Sequence, residues 1–212
     1  MWTAATPVRF AGTWFPHVMA VIRLSGGDLV LHSPCRPSDE LRAGIAALGN
    51  VGHIIAPNWF HDLYLSQYRE LYPNAVLWGP HRLRRCVDRE IDGDIAPPWG
   101  EELSHLTLRG LLTFDESIFF HRVSRTLMVA DVLMNAKAGA DSPLLTRLGL
   151  GLFGLDGSVK VFPVLRWSGT GRRQLKAAAE QISQWKPERL IVGHGTPVKQ
   201  MSADEMQKAL LC

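Results

Sequence analysis

The stretch HIIAPNWFHDLYL, residues 53–65, decides how the chain is read. His53–Ala56 is an apolar run that reads as a strand, and Pro57 stops it. Asn58, Trp59, Phe60, His61 and Asp62 follow at once. Polar side chains that can bind a metal or move a proton, set among large aromatics just past a strand end, are the make-up of an active-site mouth. A helix is expected from about His61 to Leu71, closed by Pro73.

Outward from this stretch, strands alternate with helices in two similar halves. Upstream, HVMAVIRLSGGDLVLHSP reads as a hairpin with strands 17–24 and 28–32 around a Ser25–Asp28 turn. Ser38 then caps a helix with Asp39 and Glu40 in its first turn, an apolar stripe of Leu41, Ile45 and Leu48, and Gly49 as its stop. Downstream come a short strand (74–80), a helix (81–90) and an irregular loop rich in proline and acid. ESIFFHRVSRTLMVAD opens the second half as a hairpin, strands 117–121 and 126–130, ending in Asp131. An irregular section (134–168), a helix ended by Lys186-Pro187, and the buried strand of ERLIVGHG complete the pattern. Ser202 and Glu205 form a capping box for the last helix. Two hairpins opening two βα halves predict an α/β chain in a four-layer αββα sandwich, one domain over 1–212, and argue against the alternative of an ordinary doubly wound sheet.

Composition narrows the class. The 212 residues are 46% hydrophobic and 20% charged, with a formal net charge of +3, which fits an ordinary globular protein with a sizeable core. Lysine and arginine are scattered, so no nucleic-acid partner is indicated. Cys35, Cys86 and Cys212 form no CxxC pair or disulfide framework, and a cytoplasmic location fits best. No secretory signal or membrane span is expected. PLLTRLGLGLFGLDG (143–157) is too short for a span and carries Arg147. It is read as packing first, with a lid or a homodimer contact over 143–168 as the alternatives.

Three groups of candidate ligands each follow an apolar strand: Asn58/His61/Asp62, Asp131 after TLMVA, and His194 after RLIVG. An aspartate there is costly to bury without a partner or a metal. His194 lies between Gly193 and Gly195, which let the backbone turn sharply. His17 and His53 read as structural, His121 as an exposed turn residue, and His81 and His105 as ordinary positions with a minor claim to be ligands. His32 and Cys35, at a strand exit ahead of a helix, raise a weaker Cys–His nucleophile reading.

The segments GDLVLHSP, IIAPNWFHD, RTLMVADVLMN and LIVGHGTPV resemble the metallo-β-lactamase-fold superfamily, over about residues 17–198. The resemblance implies an αββα sandwich and one or two metal ions, often zinc. Its THxHxDH motif is altered here. Set without gaps, Pro57, Asn58, Phe60 and Leu63 replace the threonine and three histidines, and Asp62 keeps the aspartate. A one-residue slip places His61 on the second histidine and loses the aspartate. Asp131 and His194 match the later ligands, His105 is the nearest candidate for the middle one, and LHSP stands where an Asp-x-Gly is usual.

His61 or Asp62, with Asp131 and His194, offers the three donors that one catalytic divalent ion needs, whether zinc, iron or manganese. Of His61 and Asp62, whichever does not ligate would take a proton. The expectation is a mononuclear hydrolase of a small-molecule ester, thioester or phosphoester. The alternative is a metal-free binding protein that keeps the fold.

Overall fold

The computed structural model describes residues 1–10, 13–80, 83, 91–93, 99, 101–111, 114–137, 143–144, 147–148, 151, 157–162, 165 and 169–211. The strands are β1 (Trp2–Phe10), β2 (Thr13–Arg23), β3 (Leu29–His32), β4 (Val51–Ile55), β5 (Val76–Trp78), β6 (Leu103–Leu111), β7 (Phe114–His121), β8 (Thr126–Met128), β9 (Leu133–Met134), β10 (Lys160–Val161) and β11 (Arg189–Ile191). The helices are α1 (Asp39–Leu48), α2 (Leu65–Leu71), α3 (Gly169–Trp185) and α4 (Ala203–Leu211). One sheet runs β1-β2-β3-β4-β5, a second runs β11-β8-β7-β6, and β9 and β10 form a short ladder.

Side-chain alternation along the strands builds three apolar layers. Val18, Ala20, Ile22, Val30 and Ile55 of the first sheet meet Phe119, Met128 and Ile191 of the second. The other face of the first sheet, with Met19, Val21, Leu29, Leu31 and Ile54, packs with Ile45 of α1 and Leu65 and Tyr68 of α2. The other face of the second, with Ile118, Phe120, Leu127 and Leu190, packs with Leu175 and Ile182 of α3 and Met206 and Leu210 of α4. This is the αββα sandwich expected from the sequence. Sheets covered on both faces explain why strands such as TLMVA are apolar runs rather than alternating ones.

The caps form as read. Ser38 Oγ accepts from the Leu41 N–H at 3.2 Å, and the Gly49 N–H closes α1 on the Ile45 carbonyl. Ser202 and Glu205 exchange side-chain to backbone bonds ahead of α4.

Several expectations are corrected. β1 and β6 are long strands that were not anticipated. Each is an edge strand, where a half-exposed pattern and Pro7 are tolerated. Helix α2 begins at Leu65 rather than near His61. Within 134–168, Met134 and Lys160 pair instead of lying in irregular chain. His121 is buried, with Nδ1 2.8 Å from Ser124 Oγ. Leu144 and Leu148 are exposed rather than packed, and the rest of the lid or dimer reading of 143–168 falls largely outside the described residues, as do His81 and the 81–90 helix apart from Leu83. Among the described residues no helix is long and apolar enough to cross a membrane.

Candidate metal centre

Strand direction brings the site together. β3, β4 and β5 are parallel, so the chain leaves β3 at Ser33 and β4 at Asn58 on the same end of the sheet. β2 is antiparallel to β3, which puts His17 at that end. β8 and β11 are also parallel, so Asp131 and His194 leave the second sheet side by side. β7 runs back against β8 and returns Glu116 to the level of Asp131. The two sheets are sewn together there. The Val18 N–H donates to the Gly193 carbonyl at 2.9 Å and the Ser117 N–H to the Pro57 carbonyl at 2.9 Å, while His17 and His194 form a bridge.

His61, Asp131 and His194 converge. One ligand atom from each lies within 4.8 Å of the other two. His61 Nε2 is 3.3 Å from Asp131 Oδ2, and His194 Nε2 is 3.3 Å from Asp131 Oδ1. Asp62 is not in this group. It is half-buried beside His61 in sequence, and burial raises its carboxyl above the usual range. His105 lies within β6, stacked on Phe119 and outside the group.

The other ring nitrogens are engaged. His61 Nδ1 is 2.6 Å from Ser33 Oγ, and His194 Nδ1 donates to the Pro16 carbonyl at 3.3 Å. A carbonyl only accepts, so the proton of neutral His194 sits on Nδ1 and its Nε2 lone pair faces a carboxylate oxygen. Two lone pairs opposed at that distance repel unless a second proton or a cation lies between them. His61 Nε2 is buried and meets no hydrogen-bond partner. An orphaned imidazole nitrogen, a second imidazole and a shared carboxylate are a donor set that fits zinc, iron or manganese.

Electrostatics follow the same geometry. Burial alone would raise the Asp131 carboxyl, but the His61 and His194 imidazoles outweigh it and hold the group well below the usual carboxylate range. Burial would lower His194. The bond and charge of Asp131 outweigh it and raise the imidazole above its ordinary value. His17 goes the other way, down to about 2, through burial first and then the neighbouring imidazoles of His61 and His194.

Glu116 holds the Asp131 turn from behind. It is fully buried and accepts the backbone N–H groups of Ala130, Asp131 and Val132 at 2.8, 2.8 and 3.0 Å. Asn58 Nδ2 donates to Asp131 Oδ2 at 2.7 Å and to Glu116 Oε2 at 3.3 Å. Its Oδ1 accepts from the N–H groups of Phe60 and His61 at 2.9 and 3.2 Å. Asn58 is therefore a brace between the two loops, with its amide rather than a ligand oxygen facing the carboxylates. Burial, then the charge of Asp131, pushes the Glu116 carboxyl up to about 8 against these donors.

Glu116, Ser33 and His17 are site-supporting residues that sequence reading did not assign. An acid at an inward position of FDESIFFH was the available signal for Glu116, whereas Ser33 in LHSP carries none. Gly193 is small of necessity, since a Cβ there would lie 2.7 Å from the Ala130 carbonyl oxygen and 2.9 Å from His61 Cε1. The Cys–His reading is overturned. Cys35 is buried in the helix-side core, where burial raises its thiol, and His32 packs on Phe119 between the sheets.

No protein-family model and no curated protein matches the chain. Solved structures do. A DIM-1 metallo-β-lactamase exposed to ceftazidime is similar at a TM-score of 0.65 and 11% identity, over 98% of this chain and 91% of that one. A metallo-β-lactamase from Pontibacter korlensis gives 0.61 and 14%, over 99% and 94%. Rubredoxin oxygen:oxidoreductase from the anaerobe Desulfovibrio gigas gives 0.62 and 14%, over 93% of this chain and 52% of that one. At such identities the likeness is one of architecture, and on that ground the chain has the metallo-β-lactamase fold.

Proposed function

We propose that this chain is a metal-dependent hydrolase with one divalent ion, acting on a small-molecule ester, thioester or phosphoester. The observation that carries the reading is the convergence of two imidazole Nε2 atoms on one carboxylate, each 3.3 Å away, with the second nitrogen of each ring already engaged. His61, Asp131 and His194 would hold the ion, which would supply Lewis acidity toward an acyl or phosphoryl oxygen.

The chain's own residues do the rest. Asn58 fixes Asp131 Oδ2, so the carboxylate keeps its aim. Asp62, outside the ligand group, is the group left to take a proton, and its raised carboxyl moves it toward the range useful for general acid–base work. The Trp59 and Phe60 rings lie 4.3 Å apart between centroids, tilted by 30°, and make the loop beside His61 apolar. Three donors among the described residues support one ion rather than two. Zinc, the metal of many hydrolytic sites with this kind of donor set, is the first ion to try.

Elemental analysis of protein purified without chelator, beside an Asp131→Asn/His194→Ala double variant, tests this. About one equivalent of zinc, iron or manganese is expected in the parent and little in the variant. Ligation needs a neutral imidazole and His194 is raised, so zinc uptake is expected to be stronger at pH 8 than at pH 6. The loaded parent should then hydrolyse at least one member of a chromogenic ester, thioester and phosphoester panel. No metal in either protein after reconstitution would leave the metal-free binding protein as the reading.

A further inference from the structure

Ser33 stands out on backbone grounds. Three residues other than glycine have a left-handed backbone among the described residues: Ser33 (φ 58°), Arg125 and Lys186. Arg125 lies in the half-exposed β7–β8 turn and Lys186 is exposed just past α3, but Ser33 is fully buried. A buried serine in that conformation is strained, and strain of this kind persists where the surroundings require it. Its N–H is used by the Ile55 carbonyl at 2.9 Å, so the backbone is anchored. Its hydroxyl bridges two imidazoles, 2.6 Å from His61 Nδ1 and 3.0 Å from His17 Nε2.

A hydroxyl has one proton and two lone pairs, and among the described residues Ser33 Oγ meets only these two rings, so its buried proton goes to one ring and it accepts from the other. For His61 Nε2 to present a lone pair to the centre, its Nδ1–H must donate to Ser33 Oγ. The Ser33 O–H must then donate to His17 Nε2, and His17 must carry its own proton on Nδ1. His17 suits the end of this chain, because its ring is buried and its Nε2 lies 3.0 Å from the hydroxyl. The reverse direction would put the His61 proton on Nε2, where it would block a metal. Outer partners commonly fix the tautomer of a ligating histidine in this way.

We propose that Ser33 is a positioning residue that, with His17 as the terminal acceptor, holds His61 as the Nδ1–H tautomer with Nε2 facing Asp131 and His194. The proposal rests on the metal reading for its purpose, but the tautomer can be read separately.

Zinc affinity by chelator competition, thermal midpoint without metal, and imidazole 15N chemical shifts would be measured for the parent, Ser33→Gly and Ser33→Ala. Glycine removes the hydroxyl and relieves the backbone, whereas alanine removes the hydroxyl and keeps the strain. Zinc affinity is expected to fall about 10–100-fold in both variants, with the Ser33→Gly midpoint at or above that of Ser33→Ala. Equal zinc affinity in parent and Ser33→Gly would overturn the role of Ser33 while leaving the metal reading intact. If the parent binds no zinc, the metal reading fails and the shifts decide for Ser33. Nδ1–H on His61 in the parent, lost in Ser33→Gly, upholds the positioning role, and Nε2–H in the parent overturns it.

Discussion

Replacing Glu116 with alanine is expected to lower stability by about 3–5 kcal/mol, the largest single effect for a residue that is not itself a candidate ligand. Three backbone N–H groups and the Asn58 amide would lose a buried acceptor together. Each unsatisfied donor costs about 1–3 kcal/mol, and the sum is reduced because water entering the space re-solvates some of them. Glu116→Gln keeps one acceptor oxygen and should cost about half as much. Urea unfolding of the parent and both variants checks this. An alanine variant within about 1 kcal/mol of the parent would mean that the Asp131 turn holds without Glu116.

The second large effect depends on pH. His32 is buried between the sheets against Phe119, its Nε2 has no partner, and burial together with the nearby His61 lowers it to about 3. The folded protein therefore keeps His32 neutral at pH 5, while an unfolded histidine protonates below about 6.5. A depressed histidine takes stability away as pH falls through its unfolded value toward its folded one. The loss is about 2 kcal/mol at pH 5 and near zero at pH 7. His32→Leu has no such group. Its stability relative to the parent should therefore improve by about 2 kcal/mol between pH 7 and pH 5. Taking the parent–variant difference removes the titration of the other buried groups, Glu116 and His17 included. A difference that stays constant across this range would show that His32 is protonated in the folded state.

The fold was legible where sequence patterns map onto one physical cause. The apolar runs at 17–24, 51–56 and 126–130 lie in strands covered on both faces, and Ser38 and Ser202 cap the helices they precede. The start of α2 lies later than the pattern suggests: Asn58 Oδ1 accepts the N–H groups of Phe60 and His61 as a helix cap would, but residues 59–64 form successive turns and regular helix begins only at Leu65. β1 and β6 were missed because edge strands with one wet face lack the strong apolar pattern of central ones. At the site, strand ends pointed to Asn58, His61, Asp62, Asp131 and His194, and the fold brings ligand atoms of His61, Asp131 and His194, but not Asp62, within 4.8 Å of one another. The braces Glu116 and Asn58 depend on contacts 58 and 73 residues apart along the chain, which no local spacing encodes.

The seam at which β2 meets the Gly193–His194 turn has a further consequence. His61 leaves the first sheet, and Asp131 and His194 leave the second, about 70 and about 60 residues apart in succession, so an ion on all three would be a removable cross-link closing two long loops. Because the three ligands meet only in the folded chain, such an ion would add its binding free energy to stability and hold the folded sheets together. Its removal would be felt across the whole sandwich as greater freedom of one sheet against the other, and amide exchange along β2 and the Gly193 turn would record it before the outer helices did.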